Sequence, residues 1–147
     1  MSIVLTLSNH YKYQLMKKAI DLDADTLKII LMDETFAFDK DTHATKADVT
    51  GSSPDLQLDT GFGYTKDNKE LANKVLAEDD VNDKGKMTCD DVSWTASAGA
   101  IGPTGSAIIY DDTSADKTVI GCIDFGTDYT IQDGSSFLIK DIEIATS

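Results

Sequence analysis

The sequence predicts a mainly β domain, an antiparallel sandwich or barrel with one N-terminal helix and a long irregular arm. Three observations carry this expectation. The second half holds short runs rich in isoleucine and valine, separated by Asp, Ser and Gly turn clusters. Only one segment has convincing helical periodicity. Between them, residues 33–64 follow neither period. With 147 residues the chain is read as a single domain, 1–147, large enough to bury a core without disulfide or metal staples.

The elements follow in order. Ser8 or Asn9 caps a helix in which Tyr11, Leu15 and Ala19 share a face, and Lys17 and Lys18 complement the dipole of its last turn. Asp21-Leu-Asp-Ala-Asp25 interrupts the chain. Thr26 to Met32 is a compact apolar run, read as a buried strand. From Asp33 to Tyr64 the chain is irregular, with turn chemistry at Asp39–His43 and Gly51–Asp55. Such a stretch is long for a compact domain and is expected to form an arm or lobe for subunit contacts, separable from the β-core. Lys69 to Ala77 fits helix or strand, with context favouring strand. Met87 to Thr95 reads as a strand that turns Met87, Cys89, Val92 and Trp94 inward if a bulge shifts its phase. Ser106–Tyr110 and Thr118–Phe125 are the strongest strands, joined by Asp111–Asp116 as a hairpin turn. Asp133-Gly134 turns the chain into Ser136–Ile144, whose second half alternates.

Charge narrows the function classes. Acidic residues number 26 against 13 basic ones, a formal net charge of −13, and every basic residue is a lysine. Without arginine the chain lacks the planar fork suited to phosphate. Its field repels nucleic acid and anionic lipid, so neither is an expected partner. Such a surface faces water or a basic partner. No apolar run reaches the ~18 residues of a membrane span, and Met1–Leu7 lacks the basic and apolar regions of a signal peptide. Cys89 and Cys122 stand far apart, outside any C-x-x-C pair, and are expected to be buried free thiols.

No motif for catalysis or cofactor binding emerges. A calcium loop needs glycine at its sixth position and glutamate at its twelfth. Counting from Asp21 these are Thr26 and Met32; from Asp39 they are Ala44 and Thr50. From Asp80 they are Gly85 and Asp91, but Lys84 occupies a ligand position. His10 and His43 have no activated nucleophile near them in sequence, and there is no nucleophile elbow, P-loop or dinucleotide fingerprint. The expectation is a non-enzyme without catalytic, metal or cofactor residues. The remaining candidates are apolar residues outside clear strands. Phe36, Phe38, Phe62, Tyr64 and Ile101 are the candidate subunit-interface residues, while Trp94 and Phe125 are expected in the core.

The order of several segments resembles a family of small structural proteins from tailed bacteriophages and prophages. These include Asn9-His-Tyr-Lys-Tyr-Gln-Leu15, Asp25-Thr-Leu-Lys-Ile-Ile-Leu-Met-Asp33, Phe38-Asp-Lys-Asp-Thr-His-Ala-Thr45, Gly63-Tyr-Thr65 and Trp94-Thr-Ala-Ser97. Ala107-Ile-Ile-Tyr-Asp-Asp-Thr113 and Ile120-Gly-Cys-Ile-Asp-Phe-Gly126 are the most specific. Lys46 departs from the pattern, where an aromatic residue is frequent. The resemblance spans nearly the whole chain. It implies a virion protein assembled in the host cytoplasm, similar to head decoration (cement) proteins, which sit at local three-fold positions, commonly as trimers. The implied partners are other copies of the chain and the major capsid protein. A tail or neck component is the alternative within this class. A carbohydrate- or host-receptor-binding module, with Tyr64 and Trp94 as an exposed platform, is the alternative outside it.

Overall fold

A computed structural model describes residues 5–51 and 55–146. Strands hold 45% of the chain and helices 9%, so the domain is mainly β; its antiparallel sheets stay open and do not close into a barrel. In chain order the elements are β1 (Leu5–Leu7), α1 (Asn9–Met16), β2 (Leu27–Asp33), α2 (Lys46–Thr50), β3 (Val75–Asp79), β4 (Lys84–Thr88), β5 (Val92–Thr95), β6 (Ile101–Asp111), β7 (Val119–Ile131), β8 (Ser136–Ile139) and β9 (Glu143–Thr146). The main sheet has the order β1-β7-β6-β2; β3-β4-β9 and β5-β8 form two smaller sheets.

The main sheet is buried on both faces. Ile29 pairs with Ile109, and Leu31 with Ala107, which in turn pairs with Ile123. Their side chains enter a large core with Tyr11, Trp94, Met87 and residues of β8 and β9. The alternate residues Ile30, Ile108 and Cys122 point the other way, into a second cluster with Val49 of α2, over which Phe36, Phe38 and Leu56 pack. Phe36, Phe38, Val49 and Leu56 of the 33–64 segment thus cover this second core, while its Leu58 and Tyr64 pack on the first, which corrects its reading as a separable arm. Removing it would uncover side chains that are now completely buried, such as Ile30 and Ile108. It also contains a helix the sequence reading did not anticipate. Asp48 anchors the start of α2 by accepting the Thr45 N–H at 2.9 Å.

At the other end, Ser8 caps α1 and accepts the Tyr11 N–H at 2.9 Å. The helix stops at Met16, and Lys18 takes the left-handed conformation, φ 63°. The Lys18 and Ala19 N–H groups return to the Leu15 and Gln14 carbonyls, the hydrogen-bond pattern that closes a helix end. Lys17 and Lys18 thus follow the last turn and are not part of it. Two segments read as single strands are divided. Met87–Thr95 belongs to β4 and β5 in separate sheets, and Ser136–Ile144 to β8 and β9. Lys69–Ala77 becomes strand only from Val75, and part of the turn expected at Gly51–Asp55 lies outside the described residues.

The outer edge of β2 is closed by irregular chain. Ile29 N–H bonds the Lys69 carbonyl, Asp33 N–H bonds the Leu56 carbonyl, and the Leu31 carbonyl accepts the Leu58 N–H. The Leu31 N–H meets a side chain instead, the Tyr64 hydroxyl at 3.0 Å, which Gln57 Nε2 also reaches at 3.0 Å. Gly63 permits this approach. Its φ is +102°, and a Cβ there would lie 2.1 Å from the Thr95 carbonyl oxygen. Tyr64→Phe would leave the buried Leu31 and Gln57 donors without their acceptor. The expected cost is about 2–3 kcal/mol, measured by urea unfolding with an unchanged folded-state far-UV spectrum.

Candidate interaction surface

The residues singled out from sequence do not assemble into one patch. Tyr64 and Ile101 are core residues, 2% and 3% exposed, which corrects their assignment to a subunit interface. Tyr64 is committed to the edge of β2, and Ile101 pairs with Ile131. Phe36 and Phe38 are half-buried and flank the His43 ring, with centroids at 5.3 and 5.7 Å. Phe62 alone is open, 55% exposed. Trp94 is 2% exposed, between Tyr64 and Phe137. With Tyr64 buried as well, these two rings do not form an exposed platform.

The polar clusters serve as joints. His10 Nε2 lies 2.8 Å from Asp116 Oδ2, while Thr118 Oγ1 donates to Asp116 Oδ1 at 2.6 Å. The group looks like a relay, but the hydroxyl points to the carboxylate and not to the imidazole, and Thr118 is fully buried. It ties α1 to the start of β7. Burial pushes the Cys122 thiol up to about 12, and the half-buried Cys89 up to about 11, so neither is a ready thiolate. Among the described residues, no three His, Cys, Asp or Glu side chains converge in a group suited to a metal ion.

The surface best shaped for contact was not anticipated from sequence. An open groove of about 850 Å³ runs between α1 with the chain that follows it and the β3-β4-β9 sheet. Leu15, Ile20 and Leu22 line the helix side; Leu76, Met87 and Ile144 line the sheet side. Of the lining residues Leu76 is 47% exposed, and Val75, 59%, and Val81, 91%, are exposed close to it in sequence. Single exposed apolar residues are ordinary, whereas an open groove lined mainly by apolar side chains is a candidate contact surface. The available sequence signal was Val75, Leu76 and Val81 standing among Glu and Asp, without an inward alternation to absorb them.

Six lysines are tied up in ion pairs. Lys28, Lys46, Lys66, Lys84, Lys86 and Lys117 are each held by an Asp or Glu of the same chain. No protein-family model, curated protein or solved structure matches the chain.

One buried acid stands apart from these exposed pairs. Asp111 is fully buried at the end of β6. One of its oxygens accepts the Thr113 and Ser114 N–H groups, each at 2.9 Å. The other has no donor among the described residues and faces the Asp25 carboxyl. Burial, and then this neighbour, push the Asp111 carboxyl from 3.8 up to about 7. A proton on Asp111 supplies the missing donor and joins the 21–25 turn to the β6–β7 hairpin. The folded state then binds a proton that the unfolded chain releases. The stability from this acid is complete below 3.8 and is lost as pH rises through about 7. Asp111→Asn keeps an acceptor for the two N–H groups and a donor toward Asp25. It should flatten the fall in urea midpoint between pH 5 and pH 8; an unchanged slope would remove Asp111 as its origin.

Proposed function

We propose that the chain is a non-enzymatic structural protein of a tailed-phage particle, a decoration protein that binds the head lattice as a homo-oligomer, with a trimer the expected form. The observation that carries this reading is the apolar groove and its exposed rim on an otherwise acidic surface. It is a place to hold a neighbour. The mainly β fold supports a scaffold role, and the segment order that resembles phage structural proteins supplies the particle.

A lattice multiplies a modest contact. Each subunit needs only a weak site if copies linked in a ring engage neighbouring sites together, since the second contact forms at high effective concentration. A three-fold ring requires a head-to-tail interface, two different patches on each subunit. Phe62 is the exposed member of the sequence candidates and is assigned to one of them.

Mass spectrometry of purified particles, combined with electron cryomicroscopy, is expected to place the chain on the outside of the head at local three-fold positions. Sedimentation of the isolated protein is expected to give a trimer. A stable monomer together with absence from every particle fraction would overturn the reading; density in the tail would replace decoration by a tail role.

A further inference from the structure

The outer edges of β2 and β3 are treated differently. The hydrogen-bonding groups of β2 are met by the 55–71 chain, whereas β3 has β4 on one side and no strand on its other side among the described residues. Its five residues are exposed along almost the whole strand. Leu76, Ala77 and Glu78 all line the groove. Successive side chains of a strand point to opposite faces, so three consecutive lining residues mean that the strand's backbone borders the groove.

The sheet face explains why the groove is open. Leu76, Met87 and Ile144 lie in one cross-strand row, and Glu78, Gly85 and Thr146 in the next. The first row is covered at Met87 and Ile144, each 1% exposed. The second row has no side chain at Gly85, where an added Cβ would meet only Thr146 Oγ1, at 3.4 Å. Below, the Tyr11 hydroxyl is buried without a hydrogen-bond partner among the described residues. An unpartnered buried hydroxyl beside an apolar groove is the kind of group that a bound chain or a water completes.

Charge selects the occupant. Asp21 and Glu78 line the groove together with Lys18 on its helix side and Lys86, which Asp79 holds. At the β3 end Glu78 is followed by Asp80 and Asp83 in the β3–β4 turn; these last three carboxylates have no lysine partner among the described residues, while the nearby Lys84 is held by Glu143. A second copy of this chain brings a net charge of −13 to the same place, which opposes self-docking there.

We infer that the groove and the free edge of β3 receive an extended segment of a different protein, one that alternates apolar side chains and carries lysine or arginine where it passes the β3–β4 turn. The segment adds a strand to β3 through its backbone, sets apolar side chains over Leu76 and Gly85, and places its cations against Glu78, Asp80 and Asp83. The assignment rests on reading the groove as a contact surface, and it does not depend on the particle being a phage head.

The test uses the full chain with its methionine ε-methyl groups labelled for NMR. Met87 lines the groove and Met32 reports on the second core. The probe is an acetylated, amidated peptide of alternating valine and leucine ending in lysines; the control ends in glutamates. The lysine peptide is expected to shift the Met87 methyl saturably, leave Met32 in place and weaken as salt is raised. Gly85→Leu, which fills the open row, and Leu76→Glu on the exposed edge should each weaken it at least about tenfold, with melting temperatures recorded to show that either variant folds. Equal binding of the glutamate peptide, an unmoved Met87 methyl, or insensitivity to both variants overturns the assignment. So does a Met87 shift that grows with protein concentration alone, which identifies a second copy as the occupant. Particle location is decided by the earlier mass spectrometry, so the two readings fail separately.

Discussion

Burial of the β2, β6 and β7 strands on both faces is the constraint from which the rest of the architecture follows. Ile29-Ile30-Leu31-Met32 and Ala107-Ile108-Ile109-Tyr110 are each buried throughout, so neither strand has a face to give to water. A continuous apolar run of this kind requires cover on two sides. The chain supplies little helix for the purpose: α1 has eight residues and α2 has five. One face is therefore covered by the two small sheets with α1, and the other by a coil that α2 and three phenylalanine and leucine side chains hold down.

The same economy explains the edge of β2. A coil cannot offer a regular ladder, so it reaches the strand group by group, with carbonyls from Leu56 and Lys69 and one hydroxyl from Tyr64. The Ile29 and Leu31 donors are buried, and leaving either of them unmet costs more than a formed bond contributes. Irregular segments that close an edge are thus as fixed as strands. That Tyr64 stands next to glycine at 63 is part of this demand, because its backbone must pass against Thr95.

The sequence made the strong strands legible through their isoleucine and valine runs, and Ser8 marked the start of α1 by its chemistry. What it concealed were divisions and destinations. Met87–Thr95 has the composition of one strand, yet Cys89-Asp90-Asp91 breaks it and sends Val92 and Trp94 to pair with Ile139 and Phe137. Asp141, at φ 55°, breaks Ser136–Ile144 in the same way. Phe36, Phe38 and Tyr64 looked unattached because the faces they cover are distant in sequence. Local pattern identifies an apolar residue without naming its partner. The groove was least legible of all, since α1, the turn after it and three strands from two regions of the chain must meet before it exists.

An open strand edge beside an apolar groove invites association with any similar edge, including that of another copy. Here the invitation is restricted by charge. Six of the 13 lysines pair with carboxylates of the same chain, and 26 acidic residues against 13 basic ones leave an acidic excess. Near β3 it is expressed as Glu78, Asp80 and Asp83 at the end of the strand. Carboxylates at that position repel the matching edge of a second molecule and attract a basic segment of another. The acidic balance that opposes self-association is then also what gives the β3 edge a preference. Apolar contact supplies the adhesion in this arrangement, and the charge decides which chain may use it.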